Sequence, residues 1–145
     1  MGARDLTAEL AARQAIDALN ARFAYLIDNG QSEQVPDLFT ADGRYAIANG
    51  ADRRVSTGQD AIRAAYVERA ARGARTACHL FTNLHVSAAT ADSAHSHCYL
   101  LLFAQDGLPP HPAQLPPRGP APTLKGAVQC VGASLFHLVP LNGSE

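Results

Sequence analysis

The chain has 145 residues, 47% of them hydrophobic and 17% charged, with a net charge of −1. Such a composition belongs to a globular chain with a core of its own, and the length fits one domain over residues 1–145. The near-neutral balance gives no basic footprint for nucleic acid, and the longest apolar run, "CYLLLFA", is too short to span a bilayer, so neither nucleic acid nor membrane is an expected partner.

The N-terminus "MGARDLTAEL" lacks the apolar stretch of a secretory signal. Cys78, Cys98 and Cys130 show no CxxC spacing. Reduced thiols in a cytoplasmic protein are therefore expected, with no zinc or disulfide framework.

Residues 7–27, "TAELAARQAIDALNARFAYLI", repeat apolar side chains at helical spacing through Ile16, Leu19, Phe23 and Leu26, extended by Ala12 and Ala15. Thr7 is placed to cap this helix, and Asn29-Gly30 to stop it with a left-handed turn. Asp28 then falls on the last turn. A carboxylate there meets the negative end of the helix dipole, which is unfavourable unless another group uses it.

Ser32 opens a short helix through Leu38 and Phe39, with Pro36 early in it, where a missing N–H costs little. "RYAIA", residues 44–48, reads as a short strand. A second long helix is predicted from Gly58 to Ala71, with Ile62, Tyr66 and Ala70 on one face and Gly73 ending it.

Two long strands follow, residues 75–88 and 92–105. In the second, alternation puts His95, His97, Tyr99, Leu101 and Phe103 on one face, and Ala94, Ser96, Cys98, Leu100 and Leu102 on the other. Seven of the nine prolines lie between Pro109 and Pro122, so residues 108–123 are expected to be irregular. "KGAVQCV" and "SLFHLVPL" read as two short apolar strands. Helices first and antiparallel strands after them predict an α+β fold. No glycine-rich phosphate loop follows a strand, and no cofactor is expected.

Three stretches stand together in order: "LNARFAYLIDNGQSEQVPDLFTADGRY", "TGQDAIRAAYVERA" and "RTACHLFTNLHV". This set resembles the NTF2-like superfamily, over residues 10–105. More narrowly it is similar to the SnoaL-like branch, which contains scytalone dehydratase, hexachlorocyclohexane dehydrochlorinase and polyketide cyclases. The resemblance implies a cone-shaped, curved antiparallel sheet packed on N-terminal helices.

It also implies a dyad, with Asp28 as the helix-terminal aspartate and His79 as the histidine of the "RT-x-x-H" strand. Ketosteroid isomerases of this fold place their base on the first strand instead, and "RYAIA" has no carboxylate. The tail departs from the family pattern of a final strand with Trp and Arg, since the chain has no Trp and finishes "SLFHLVPLNGSE".

The implied activity is that of a cofactor-independent lyase or isomerase, a dehydratase-like enzyme acting on a small cyclic or polycyclic organic substrate. Asp28 would orient His79, and His79 would take the proton. The alternative is a non-catalytic module of the same fold that binds a ligand or a protein.

Tyr25, one turn before Asp28, and Tyr45 on the first strand are candidate hydrogen-bond donors to the substrate. Asn83 is a third binding candidate, because it shares the alternation face of His79. Each also reads as an ordinary wall residue. His79, His95 and His97 would need to converge to hold zinc, and no metal ligands are assigned. Cys78 and Cys98 alternate away from His79 and His97. A homodimer or higher homo-oligomer is expected, with a face carrying Leu80, Leu84, Leu100 and Leu102 in need of cover.

Overall fold

Helix α1 spans Leu6–Asp28 and buries the stripe formed by Ala12, Ile16, Asn20 and Leu26. The computed structural model describes residues 6–49, 51–90, 93–107, 126–129 and 134–137. The proline-rich stretch 108–123 lies outside the described residues. Thr7 sits within the first turn of α1 rather than ahead of it.

The end of α1 is built as a Schellman motif. Gln31 N–H donates to Leu26 C=O at 2.7 Å and Gly30 N–H donates to Ile27 C=O at 3.2 Å. Those bonds satisfy carbonyls that the helix leaves open, and they require a left-handed residue at position 30. Gly30 supplies it with φ of 72°.

A short 3-10 helix follows at Ser32–Leu38, burying Val35 and Pro36. Strands β1 (Arg44–Asn49) and β2 (Asp52–Thr57) form a separate two-stranded antiparallel sheet. β2 was not expected from the sequence. Its residues "DRRVST" carry no apolar alternation, and pairing with β1 is what makes it a strand.

Helix α2 spans Gln59–Ala70 and buries Ile62 and Tyr66. Gly58 N–H donates to Gly43 C=O at 2.8 Å, and Gln59 Nε2–H donates to Phe39 C=O at 2.7 Å. Position 43 must be glycine, because a Cβ there would lie 2.9 Å from both Phe39 Cβ and Thr40 O.

Strands β3 (Arg75–Ala89) and β4 (Ser93–Asp106) pair antiparallel from Arg75↔Asp106 to Ala89↔Ala94. Two short strands, β5 (Gly126–Gln129) and β6 (Ser134–His137), lie end to end along the other edge of β4. The β3–β4 ladder is interrupted between Thr82 and His85 and again between Val86 and Ala88. Asn83 sits at the first interruption with φ of 55°. Bulges of this kind bend the strand and increase its twist.

The bulges also change which residues point inward. His79 opposes Leu102 and Phe81 opposes Leu100, whereas beyond the first bulge Val86 opposes Ser96 and Ala89 opposes Ala94. Odd positions therefore face α1 before the bulge, and Leu84 and Val86 face it afterwards, packed on Ala12, Ile16 and Ala94. The expected apolar face of Leu80, Leu84, Leu100 and Leu102 is split accordingly. Leu80 pairs with Leu101 on the outside, 49% exposed, while Leu100 is buried.

The second core cluster joins Leu26, Val35, Ile62 and Tyr66, with Phe23, Ile27, Phe39 and Tyr45 packed against it. It fastens the end of α1 to α2 and to β1.

The turn at Gly30 generates a stability prediction. Gly30→Ala meets no steric obstacle, yet it forces a Cβ into left-handed backbone and should cost about 1–2 kcal/mol. Gly30→Asn should lose markedly less, because Asn tolerates that conformation. Urea unfolding of the three proteins gives the comparison.

Candidate active site

Because the Schellman turn ends α1 at Asp28, the carboxylate projects from the last helical residue. No basic side chain lies in that last turn. Its partner comes from β3, 51 residues away in the chain. Asp28 Oδ1 lies 2.6 Å from His79 Nδ1, and Asp28 Oδ2 accepts the backbone N–H of the same residue at 2.9 Å. A carboxylate has only acceptors, so the ring contact needs the proton on Nδ1 and leaves Nε2 unprotonated in the neutral imidazole.

The two bonds fix the aspartate to both the backbone and the ring of one residue. Both side chains are largely shielded, with the His79 side chain 10% and the Asp28 side chain 20% exposed. Phe23, one turn before Ile27 on α1, sets its ring edge-on to the imidazole at 6.3 Å and 88°, and does the same to Phe81 at 6.0 Å. The imidazole is held by a carboxylate on one side and an aromatic edge on another. Bond length, shielding and tautomer together describe an imidazole whose ring orientation is fixed by Asp28.

The other expected residues are distributed differently. Tyr25 is 51% exposed, with the Arg22 guanidinium 5.9 Å above its ring. It does not join the dyad. Asn83 is exposed at the bulge, where its amide oxygen accepts from Thr82 Oγ1 at 3.3 Å. Alternation from His79 does not reach it, because the extra residue of the bulge turns Leu84 inward instead.

Tyr45 is partly buried in the cluster that also takes up Phe23. Its ring stacks on Tyr66 at 5.8 Å and 24°, and meets Phe39 edge-on at 5.8 Å. His95 and His97 are exposed on the outer side of β4, away from His79. The three histidines do not converge, and no group of three or more metal-ligating side chains forms among the described residues. Cys98, by contrast, lies on the inner row with Leu100 and Leu102, the row that opposes His79 and Phe81.

Two polar features were not anticipated. Asn20 is buried in the stripe of α1 that faces the sheet, and Tyr66 Oη is sealed from solvent with no partner in hydrogen-bond geometry. A separate groove of about 250 Å³ is lined by Leu6, Leu10, Arg13 and Val86. It sits toward the opposite end of α1, with Arg13, its nearest lining residue on the helix, ~22 Å along the axis from Asp28 at 1.5 Å per residue.

Comparison with known proteins follows from this geometry. The SnoaL-like domain family matches residues 8–132. The chain belongs to the SnoaL-like domain family. A structure from Catenulispora acidiphila aligns at 26% identity with a TM-score of 0.57, covering 66% of this chain and 67% of that one. A second structure from that organism, in complex with S-DNPA, aligns at 25% identity with a TM-score of 0.55, covering 66% and 68%.

A Nostoc punctiforme protein with a cystatin-like fold aligns at 22% identity and a TM-score of 0.52, covering 71% and 70%. That last likeness concerns the fold alone. Comparison with curated proteins gave no significant match. The SnoaL-like chain thus has the α+β, NTF2-like arrangement of N-terminal helices and antiparallel sheet. No helix among its described residues is long and apolar enough to cross a membrane.

The tyrosine pair gives a pH prediction. Burial pushes the Tyr66 hydroxyl well above the usual phenol range, with Tyr45 adding to the rise. Burial also raises Tyr45, partly offset by Tyr66. Both hydroxyls stay neutral in the folded chain at pH values where the unfolded chain ionises them. Their contribution is complete below the ordinary phenol value of about 10 and is withdrawn as the pH climbs above it. Tyr66→Phe should therefore flatten the alkaline fall in stability, measured by urea unfolding between pH 8 and 11.

Proposed function

We propose that this SnoaL-like chain is a cofactor-independent lyase or isomerase in which His79 abstracts a proton from carbon and Asp28 serves it. The observation that carries this reading is the grip of one carboxylate on both the Nδ1–H and the backbone N–H of His79. With Nδ1 occupied, Nε2 holds a lone pair and is the atom that takes the proton. The imidazolium that results is stabilised by the Asp28 carboxylate and by the negative end of α1. A carboxylate placed where the helix alone disfavours it acquires a role in this way.

The substrate is a small cyclic or polycyclic molecule with a carbonyl beside the carbon that loses its proton. The carbonyl takes up the electron pair, or a β leaving group departs with it. The apolar inner wall of Phe23, Phe81, Leu100 and Leu102 suits such a molecule. Tyr45, kept neutral by burial, is the candidate donor to the carbonyl oxygen. The compound bound by the Catenulispora acidiphila neighbour supports a small-molecule ligand on this scaffold.

The outer sheet face, with Leu80 and Tyr99 about half exposed, is the surface proposed for a second copy. Sedimentation at micromolar concentration should give a dimer, and a monomer there would remove that part of the reading.

The dyad is tested without knowing the natural substrate. Exchange of α-protons for deuterium in a panel of cyclic enones and hydroxyketones, followed by NMR in D₂O, reads proton abstraction directly. The wild-type chain should accelerate exchange in at least one compound. His79→Ala should abolish it with the fold intact, and Asp28→Asn should lose on the order of 10²-fold or more. The double variant should be little worse than His79→Ala, because both residues serve one transfer. Near wild-type exchange in His79→Ala would sink the mechanism and leave the reading as a binding module.

A further inference from the structure

Tyr66 is a buried polar side chain that the dyad leaves unexplained. It follows Ile62 by one turn on the buried face of α2 and is 8% exposed. Its hydroxyl is sealed from solvent and has no partner in hydrogen-bond geometry. A buried donor without an acceptor is destabilising, so such a group calls for a role. Sealed as it is, the hydroxyl acts on a ligand only through a neighbour.

That neighbour is Tyr45. The two rings stack at 5.8 Å and 24°. Among the hydrophobic residues of the cluster around Tyr66, Tyr45 alone carries a second hydroxyl. Both rings are anchored. Gln59 Nε2–H donating to Phe39 C=O and Gly58 N–H donating to Gly43 C=O tie α2 to the segment ahead of β1. Tyr45 lies in the β1–β2 ladder opposite Ser56. Unlike Tyr66, Tyr45 is only partly buried. Phe23 packs against the same cluster and sets its ring against His79, so it connects the stack to the dyad.

The two hydroxyls already act on one another. Burial raises both phenols, and beyond burial Tyr66 lowers Tyr45 while Tyr45 raises Tyr66. Opposite signs are those of a donor, Tyr66, beside an acceptor, Tyr45. Among the described residues no charged group adds to either shift. Asp28 is taken up by His79, and Arg63 of α2 by Asp37 and the Glu33 carbonyl.

We propose that Tyr66 is a positioning residue, its hydroxyl donating to Tyr45 Oη while Tyr45 donates to the substrate oxygen that gains charge. A phenol has one proton to give and lone pairs to accept with. Once Tyr45 turns its proton to the ligand, a lone pair is left for Tyr66. As His79 takes the proton from carbon, the electron pair moves to the carbonyl oxygen. Both phenols keep their protons, and each bond of the chain polarises the next. Hydrogen bonds of this kind are often misaligned without ligand and tighten in the complex. This role rests on the reading that Tyr45 faces the carbonyl, and it adds what makes Tyr45 a strong donor.

Trifluorotyrosine in place of Tyr45, whose phenol ionises near neutral pH, tests the pair with no substrate present. Followed by phenolate absorbance, its ionisation should become about tenfold weaker when Tyr66→Phe removes the donor. The melting temperature of Tyr66→Phe should hold or rise, because a sealed, unpaired hydroxyl is lost. A purely structural Tyr66 gives the opposite titration, since looser packing admits water to position 45 and strengthens ionisation there. Unchanged or strengthened ionisation overturns the proposal.

In the exchange assay, Tyr66→Phe should slow the rate at saturation about tenfold with KM little changed. It should add almost nothing to Tyr45→Phe, because both act on one oxygen. An active chain whose rate ignores Tyr66→Phe overturns the proposal, as do losses that multiply in the double variant. A wild-type chain without exchange counts against the dyad, and the titration still decides the tyrosine pair.

Discussion

The turn at Gly30 and the carboxylate two residues before it set the relation between the first helix and the sheet. A Schellman motif closes the last carbonyls of α1, so the helix stops with Asp28 as its final residue. Both carboxylate oxygens then bind His79 in the sheet. A single bond to the ring would leave the imidazole free to swing with its strand. The second bond, to the backbone N–H, ties the aspartate to the strand itself. Isolated, an aspartate at a helix C-terminus is a small liability. Here, the partner strand turns the same charge into a doubly bonded polar link between α1 and the sheet.

The β3 bulge has an equal share in the site. A regular fifteen-residue strand would keep one parity of side chains on its inner face from end to end. The extra residue at Asn83 breaks that rule, sending Leu84 and Val86 inward beyond it. The sheet can therefore bend around α1 while keeping an apolar lining on both sides of the bend. Phe23 packs on the half before the bulge, touching His79 and Phe81 and joining the cluster of Leu26 and Ile62. The histidine is largely shielded, with the edge of Phe23 against its ring and one carboxylate holding it.

Much of this was legible beforehand. The apolar spacing of Ile16, Phe23 and Leu26 and the Asn29-Gly30 stop place α1, and Gly73 marks the turn after α2. The long strands follow from composition. The pairing of Asp28 with His79 came from resemblance to a family, since no local pattern links residues 51 apart. β2 was missed because its charged residues carry no apolar signal. Tyr25 sits one turn before Asp28, yet its ring faces Arg22 and solvent. Asn83 was misplaced because strict alternation was carried through a bulge that leaves no mark in the sequence.

By itself the sequence determined the order of elements, the end of α1 and the chemical types available to a site, because helix periodicity, capping and turn residues act over a few neighbours. The tertiary structure decided which side chains meet. The register between β3 and β4, and the bulge within it, put Cys98 on the row facing His79 and sent His95 and His97 outside. Side chains in a strand alternate with a period of two, so one inserted residue reverses every face beyond it. That choice is made by packing against a distant helix.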